Sequence, residues 1–237
     1  MFDAVFVGRF QPFHNGHLYA VRRILGENEN LIIVVGSAQM SHQHDNPFTA
    51  GERIEMIRAA LDGAGVSPSR YLIIPIPDAP AHRVWVSSLE SQTPRFKVVY
   101  SNQSLTKRLL LEAGYEVRPI ELYERERFEA SEIRRRMLCD EDWKDLVPPE
   151  VAEIIEEIDG VGRVRDLAQS DSLSESGATR IFITQSPSSK VWCILTRRPA
   201  FRYFRGPLVR RGHMAPRRPA LILDFALLSR LESAEAS

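Results

Sequence analysis

Short apolar segments alternate with segments of helical period through the first 170 residues, and this alternation restricts the fold more than any other feature of the sequence. The apolar segments are rich in branched residues and cover 4–8, 31–36, 71–76, 97–101 and, more weakly, 115–122. Such runs are typical of strands buried on both faces of a parallel sheet. Strand and helix repeated in turn predict right-handed crossovers and a Rossmann-like, doubly wound α/β fold.

The segments between the strands have the spacing of amphipathic helices. Apolar residues recur on one face of the first two helices at Leu18, Val21, Leu25, Ile54, Ile57 and Leu61. Thr49 and Glu52 have the spacing of a capping box, which predicts the start of the second helix. After Pro149, an apolar stripe at positions 151, 154, 155 and 158 predicts a further helix that ends near Gly160. This stripe is expected to be core or a subunit contact.

Charge is unevenly distributed along the 237 residues, although Lys+Arg and Asp+Glu both number 31. Residues 171–237 carry 11 Lys+Arg against 5 Asp+Glu, and residues 1–170 carry 20 against 26. This asymmetry predicts two units, a domain over 1–170 and a basic C-terminal extension over 171–237. The extension mixes Arg, Pro and aromatic residues without helix or strand period, and we expect it to be poorly ordered. The alternative is a nucleic-acid-binding or anion-binding tail, with aromatic residues stacking between arginines.

Two sequence features bear on the cellular compartment. Two cysteines, Cys139 and Cys193, are too few and too far apart for a zinc site or a disulfide framework. No apolar run approaches the roughly 20 residues of a membrane-spanning helix, and the N-terminal segment lacks the pattern of a secretory signal. We therefore expect a cytoplasmic protein with no membrane partner.

The segment GRFQPFHNGH, residues 8–17, follows the first predicted strand. In open α/β sheets, ligands bind outside the carboxyl ends of the strands. Gly8 lets the backbone approach a ligand, because it has no Cβ. If the helix begins near Asn15 or Gly16, His14 and His17 can both face the space above its N-terminus, where free N–H groups and the helix dipole favour phosphate. The joint occurrence of these residues predicts a phosphate site rather than a plain turn.

This segment resembles the H-x-G-H signature of nucleotidylyltransferases, in the fuller form of archaeal-type nicotinamide-nucleotide adenylyltransferases. The resemblance covers about the first 170 residues. It continues through six further blocks: GSAQMSH (36–42), NPFTAGER (46–53), VWVSSLES (84–91), VVYSN (98–102), EIRRRML (132–138) and VPPEVAEIIEEIDGVGRVRDLAQ (147–169).

The resemblance implies transfer of AMP from ATP to the 5′-phosphate of nicotinamide mononucleotide (NMN), giving NAD and pyrophosphate. His14 and His17 would contact the ATP phosphates, with His17 nearest the α-phosphoryl group. Arg134 matches the arginine of the second signature, S-x-T-x-x-R, and would hold the β- and γ-phosphates. Arg9 and the backbone of Gly8 and Phe10 would contact phosphate from the loop; Mg²⁺ would be delivered with ATP.

Two positions depart from the family pattern. Glu129 stands where the archaeal form has Ser in Ser-Gly-Thr, while Ser131 keeps a hydroxyl that is expected to serve as helix N-cap and phosphate contact. Asn15 replaces the Lys or Arg often found inside H-x-G-H. Both departures reduce the positive charge expected near the phosphates.

Acceptor choice is assigned by the resemblance to other positions. Trp85 aligns with the tryptophan that stacks on the nicotinamide ring, and Asp78 with an acidic position near the same base. Ser37 would face the nucleotide. For Arg53 two interpretations stay open, a phosphate ligand or a structural ion-pair partner. The main enzymatic alternative is another H-x-G-H transferase, with flavin mononucleotide, phosphopantetheine or a polyol phosphate as acceptor.

The loop SHQHD, residues 41–45, offers a second candidate site. Its two histidines and one aspartate could form a metal site, but a mobile polar loop over the ATP site is the favoured interpretation. We expect no dedicated protein ligand for metal, because the phosphates and water supply most ligands of Mg²⁺. The expected partners are ATP and NMN, and relatives of this family are assemblies, so a homo-oligomer is expected.

Overall fold

The computed structural model describes residues 1–120, 128–174, 183–185, 191–194 and 202–205. The chain divides into two units, Met1–Asp171 and Ser172–Ser237. No helix in the described ranges is long and apolar enough to cross a membrane.

The first unit is built on a five-stranded parallel sheet with the strand order β3-β2-β1-β4-β5. Its strands are β1 (Phe2–Gly8), β2 (Leu31–Val35), β3 (Tyr71–Pro75), β4 (Phe96–Tyr100) and β5 (Glu116–Arg118). The chain crosses from β3 to β4 on the other side of β1, so the strand order reverses between β1 and β4. This confirms the doubly wound, Rossmann-like fold, whose ligands bind at that reversal point.

Helices cover both faces of the sheet. They are α1 (Asn15–Glu27), α2 (Ala50–Gly63), α3 (His82–Gln92), α4 (Ser104–Glu112), α5 (Ala130–Leu138), α6 (Pro149–Glu157) and α7 (Gly160–Ser174). On β1, Ala4 and Phe6 belong to one apolar core with residues of α1, α2, α5, α6 and α7, while Val5 belongs to a second core with residues of α3 and α4. This alternation places the two cores on opposite faces of the sheet.

The capping box at the start of α2 is present. The hydroxyl of Thr49 accepts from the N–H of Glu52 at 3.2 Å, and the Glu52 carboxylate accepts from the N–H of Thr49 at 2.8 Å. The stripe on α6 lies against the first core: Val151 and Ile155 are buried, and Ile154 and Ile158 pack against it. The helix ends at Glu157, close to the predicted position, but Gly160 begins the next helix, α7, instead of only ending α6.

The second unit contains three short strands that form an antiparallel sheet in the order β6-β7-β8. These are β6 (Ile183–Gln185), β7 (Val191–Ile194) and β8 (Arg202–Arg205). The sequence showed no strand period there, because strands of three or four residues are too short for alternation to stand out. Most of the extension, and with it the expectation of poor order, lies outside the described residues.

Candidate active site

The loop between β1 and α1 is shaped by an aromatic ring that covers its first glycine. A Cβ on Gly8 would lie 2.7 Å from Cζ of Phe10, so no other residue fits without moving the ring. Phe10 has a φ of 54° and a fully buried side chain. Its ring meets that of His17 edge-on, with centroids 4.8 Å apart. Phe10 therefore offers only its backbone to a ligand, and its ring orients His17.

His14 and His17 form a stacked pair at the N-terminus of α1. Their ring centroids are 3.5 Å apart with an interplanar angle of 22°. His14 is the N-cap, and its Nδ1 accepts from the backbone N–H of His17 at 3.3 Å. The ring of His17 also stacks on that of Phe13 at 5.5 Å. The helix starts as the sequence predicted, at Asn15, and brings the two imidazoles together.

These contacts determine where each imidazole carries its proton. Nδ1 of His14 is an acceptor, so the proton of the neutral ring lies on Nε2. Nδ1 of His17 is buried and has no hydrogen-bond partner among the described residues. A proton there would be a buried donor without an acceptor, which costs about 1–3 kcal/mol. His14 therefore has an Nε2–H donor, and we expect the same tautomer for His17, because no acceptor among the described residues lies beside its Nδ1.

Burial keeps the pair neutral. It lowers the pKa of His14 to about 3, because the charged ring would lose its hydration. It lowers the pKa of His17 well below its ordinary value, and the neighbouring His14 lowers it further. At neutral pH the two histidines are thus hydrogen-bond donors without charge.

The glycine of the H-x-G-H signature is explained by the same N-cap. A Cβ on Gly16 would lie 3.1 Å from Nδ1 of His14 and 3.0 Å from Cβ of Phe128. The imidazole of His14 lies over the first turn of α1 and leaves no room for a side chain. Asn15 lies between them in sequence and donates from Nδ2 to the carbonyl of Asp145 at 3.1 Å.

Gln11, which sequence analysis missed, joins three separate segments. Its side-chain amide donates to the carbonyl of Phe48 at 2.9 Å and accepts from the N–H of Phe48 at 2.9 Å. Its backbone carbonyl accepts from Nη1 of Arg134 at 2.8 Å. The histidine loop, the segment before α2 and the arginine of α5 are therefore held in register by one buried residue.

Arg134 lies in α5 and is 9% exposed. Besides the bond to Gln11, its Nη2 donates to Oδ1 of Asp45 at 3.3 Å. Burial lowers the pKa of Arg134, Asp45 opposes this shift, and the charge of Arg9 adds to it. The signature arginine therefore binds the loop that carries the signature histidines, through the backbone carbonyl of Gln11.

Arg53 binds backbone carbonyls and is fully buried. Its guanidinium donates to the carbonyls of Thr49 at 3.1 Å, Arg9 at 2.9 Å, Gly36 at 2.8 Å and Ser37 at 3.2 Å. Four of its five N–H groups are therefore committed. Burial, followed by the charge of Arg9, lowers the pKa of Arg53 to about 10. Arg53 connects the loops that follow β1 and β2, and it has little capacity left for a phosphate.

Arg9 differs from both buried arginines. It is exposed, and in the described residues no acceptor holds its guanidinium. Its charge nevertheless acts on Arg53 and Arg134. Positive charge therefore accumulates beside the histidine pair, as an anion-binding site requires.

The chain is similar to proteins of known activity. A family model described as cytidylyltransferase-like matches residues 5–136. The nicotinamide-nucleotide adenylyltransferase of Picrophilus torridus is 52% identical over 168 residues, which are 71% of this chain and 98% of that protein. The chain belongs to the nicotinamide-nucleotide adenylyltransferase family.

Two solved structures share the fold of this adenylyltransferase family member. One is a bifunctional NMN adenylyltransferase/ADP ribose pyrophosphatase from Francisella tularensis, with a TM-score of 0.60 and 22% identity over 72% of this chain and 54% of that one. The other is the Francisella tularensis protein complexed with AMP and a Mn ion, with a TM-score of 0.57 and 20% identity over 82% of this chain and 67% of that one. The chain thus spans about half to two thirds of these longer proteins.

In this adenylyltransferase, Ser37 and Asp78 meet at the carboxyl ends of β2 and β3. Ser37 has a φ of 48°, and its hydroxyl donates to Asp78 at 3.1 Å. Gln39 completes a cluster: its Nε2 donates to the Asp78 carboxylate at 3.3 Å, and its Oε1 accepts from the N–H of Asp78 at 2.9 Å. Gln39 is a second residue that the sequence analysis missed.

Trp85 is on the opposite face of the sheet from the histidine pair. It is half-buried in α3 and packs against the second core, whereas Phe10 and Phe13 belong to the first. The structure thus does not bring Trp85 into contact with the loop between β1 and α1. A ligand that reached both would have to span the sheet edge at the reversal between β1 and β4.

The start of α5 differs from the prediction. Glu129 is the N-cap by backbone position, and Ser131 lies within the first turn. The Ser131 hydroxyl donates to Oε2 of Glu129 at 3.3 Å instead of capping the helix. The expected N-cap at Ser131 was therefore wrong: the N-cap is Glu129, and the helix begins at Ala130, two residues earlier than an N-cap at Ser131 requires.

The polar loop over 41–46 has no metal cage. No group of three or more His, Cys, Asp or Glu side chains is close enough to hold a metal ion within the part of the chain that the structure describes. His42 contacts Ser41 at 3.1 Å, and His44 pairs with Asp45 at 3.3 Å. The loop supplies instead the carboxylate that contacts Arg134.

Proposed function

We propose that this chain transfers AMP from ATP to the 5′-phosphate of NMN, forming NAD and releasing pyrophosphate. Membership of the nicotinamide-nucleotide adenylyltransferase family supports this activity. The observation that carries it in the structure is the neutral, stacked pair of His14 and His17, joined through Gln11 to Arg134 at the carboxyl end of β1.

The reaction needs little covalent chemistry from the protein. An oxygen of the NMN phosphate attacks the α-phosphorus of ATP and forms a new P–O bond. The bond from the α-phosphorus to the bridging oxygen breaks, and that oxygen leaves with its electron pair as part of pyrophosphate. Because the attacking oxygen is already ionised, no general base is required, and catalysis consists of positioning and charge stabilisation.

We assign the histidines to the α-phosphoryl group. Their Nε2–H groups would donate to its oxygens as charge develops, and His17 would be the nearer one. The stacking of the two rings and the contact with Phe10 support this role, because they hold the donors in place before substrate arrives. Preorganised donors of this kind need no rearrangement at the moment of reaction.

The arginines supply the charge. We assign Arg134 to the β- and γ-phosphates and Arg9 to the triphosphate, with the backbone of Gly8 and Phe10 and the Ser131 hydroxyl as further contacts. A planar guanidinium suits two phosphate oxygens better than an ammonium does. For Arg53 we propose a positioning role, because its donors bind four carbonyls.

Nicotinamide recognition is assigned to the other side of the sheet edge. We propose that Trp85 stacks on the nicotinamide ring, which is cationic and is attracted by an indole face. Asp78 would lie near the same base, with Ser37 facing the nucleotide. We propose that Mg²⁺ is the metal and comes bound to ATP, with phosphate oxygens and water as its main ligands.

Assembly and compartment are part of the same proposal. We propose a homo-oligomer that works in the cytoplasm, without membrane or nucleic-acid partners. Because α6 is buried against its own core, a subunit contact through its apolar stripe has no support. The basic extension over 171–237 remains without an assigned role.

NAD formation tests the function directly. Purified protein with ATP, Mg²⁺ and NMN should form NAD and pyrophosphate in equal amounts. Flavin mononucleotide, phosphopantetheine and a polyol phosphate, each offered with ATP or CTP, should release far less pyrophosphate. Activity with one of these acceptors and none with NMN would overturn the assignment.

His17→Ala tests the catalytic role of the histidine pair. We expect kcat to fall by about 100-fold or more, the scale for loss of a preorganised donor. Arg58→Ala is the matched control, because Arg58 is an exposed helix residue whose contact with Asp62 spans 3.9 Å. A folded His17→Ala variant with near-normal kcat would contradict the role.

A further inference from the structure

The ion pair between Asp45 and Arg134 joins a buried cation to an exposed anion. The side chain of Arg134 is 10% exposed and that of Asp45 is 67% exposed, with 3.3 Å between Nη2 and Oδ1. The Nε of Arg134 is buried and has no hydrogen-bond partner among the described residues. The guanidinium is therefore incompletely satisfied, and Asp45 holds one of its two Nη groups.

A tight turn presents Asp45 to Arg134. The N–H of Gln43 donates to the carbonyl of Asn46 at 3.2 Å, and the N–H of Asn46 donates to the carbonyl of Gln43 at 3.0 Å. Two residues later the chain is fixed at Phe48 by both bonds from Gln11. Because Gln11 also binds Arg134, the turn and the guanidinium share one anchor, and the contact is a built feature of the loop.

Asp45 is the counter-ion of Arg134 when no substrate is bound. A buried guanidinium without a negative partner is strongly unfavourable. The other charged group that acts on Arg134 is Arg9, which has the same sign, and Asp45 alone acts in the opposite direction. Within the described residues, Asp45 is the one carboxylate paired with Arg134.

We propose that Asp45 competes with the polyphosphate of ATP for Arg134, so that it neutralises the guanidinium in the empty enzyme and releases it when phosphate binds. This rests on the proposed function, in which Arg134 holds the β- and γ-phosphates. A phosphate replaces the carboxylate with oxygens of higher charge that can take two N–H groups at once. The displaced carboxylate is exposed and returns to water. Asp45 therefore weakens polyphosphate binding, although it lies within the site.

The test is the affinity of the full chain for inorganic pyrophosphate, measured by calorimetry in EDTA at low salt. Asp45→Asn keeps the shape of the side chain and removes its charge. We expect the Kd for pyrophosphate to fall about three- to fivefold, the upper end of the scale for a partly exposed ion pair. Metal-free conditions separate competition for Arg134 from any contact between Asp45 and bound Mg²⁺. A thermal melt confirms that the variant is folded, and Asp45→Ser serves as a second variant.

Asp140→Asn is the matched control. Asp140 is an exposed carboxylate that pairs with a different arginine, Arg165, at 2.8 Å. Asp140→Asn makes the same change in net charge and should leave the Kd for pyrophosphate within about twofold of the wild-type value, as expected for an exposed pair. An equal fall in Kd in Asp45→Asn and Asp140→Asn would overturn the proposal, because the effect would then come from net charge.

The remaining outcomes separate this inference from the function. An unchanged or higher Kd in Asp45→Asn and Asp45→Ser overturns the competition, even if the wild-type protein forms NAD. If the wild-type protein binds pyrophosphate but forms no NAD, the proposed function fails while tighter binding by both variants still supports competition. No binding of pyrophosphate by the wild-type protein would overturn the competition, while NAD formation from ATP, Mg²⁺ and NMN decides the proposed function independently.

Discussion

Lowering the pH should destabilise this protein through His14 and His17. In the unfolded chain a histidine has a pKa of about 6.5. In the folded chain, burial lowers the pKa of His14 to about 3 and that of His17 well below its ordinary value. Above the unfolded pKa both states are neutral and stability is complete. Below it, the unfolded chain binds protons that the folded chain does not. The free energy of unfolding therefore falls as the pH is lowered.

The size of the effect follows from the unfolded chain alone, since both folded rings stay neutral in this range. Between pH 7.5 and pH 5.5 each histidine removes about 1.4 kcal/mol, and the pair about 2.7 kcal/mol. Most carboxylates remain ionised over this interval, so they add little. If only one ring is buried as a neutral group, the difference in the free energy of unfolding should be about half of this value, or about 1.4 kcal/mol.

Urea unfolding at the two pH values and a fixed protein concentration measures this difference. In the double variant His14→Gln, His17→Gln the stability at pH 7.5 will change, but the dependence on pH should largely disappear. Each single variant should retain about half of it. A wild-type difference under about 1 kcal/mol, or the same difference in the double variant, would refute the assignment of neutral buried imidazoles.

Three further predictions concern positioning and substrate binding. Gln11→Glu removes the donor to Phe48 and buries a carboxylate, so urea unfolding should show a free energy of unfolding lower by about 1–3 kcal/mol. We also expect a lower kcat, because Arg134 would shift. Unchanged stability would contradict the role of Gln11 in joining these segments. Arg53→Lys leaves several carbonyls without donors and should cost more than about 2 kcal/mol, whereas Arg58→Lys on the same helix should be nearly neutral. Trp85→Ala should raise KM for NMN with little change in kcat, because stacking on a non-reacting ring is uniform binding. An unchanged KM would remove Trp85 from the substrate pocket.

The sequence was sufficient where the information is local. Strand and helix periods, the capping box at Thr49 and the start of α1 at Asn15 all depend on neighbours within a few positions, and the structure has them as predicted. The stacked imidazoles also follow from local spacing, because an N-cap and the third helical residue lie on the same side of the first turn. The start of α7 at Gly160 was not predicted, because a glycine can begin a helix as well as follow one.

The residues that assemble the site could not be found in this way. Gln11 binds the backbone of Phe48, 37 positions away, and its own carbonyl binds Arg134, 123 positions away. Arg53 binds carbonyls in the loops after β1 and β2, so its neighbours in sequence gave no indication of its partners. Backbone acceptors leave no pattern in a sequence, because every residue has one. The contact of Asp45 with Arg134 could not be predicted for a related reason. The polar residues of the loop indicated that it is exposed, but not which charged side chain it contacts.

The division of work between neutral histidines and charged arginines fits the needs of the reaction. A cationic group bound to the triphosphate lowers the energy of bound ATP and of the transition state together, which favours binding more than rate. A neutral donor held beside the α-phosphoryl group gains most when charge moves onto its oxygens. In the proposed mechanism, the low pKa values of His14 and His17 place them in the second category, while Arg9, and Arg134 once Asp45 is displaced, serve in the first. On this proposal, the apolar rings of Phe10 and Phe13 would contribute to catalysis because they keep the imidazole of His17 uncharged.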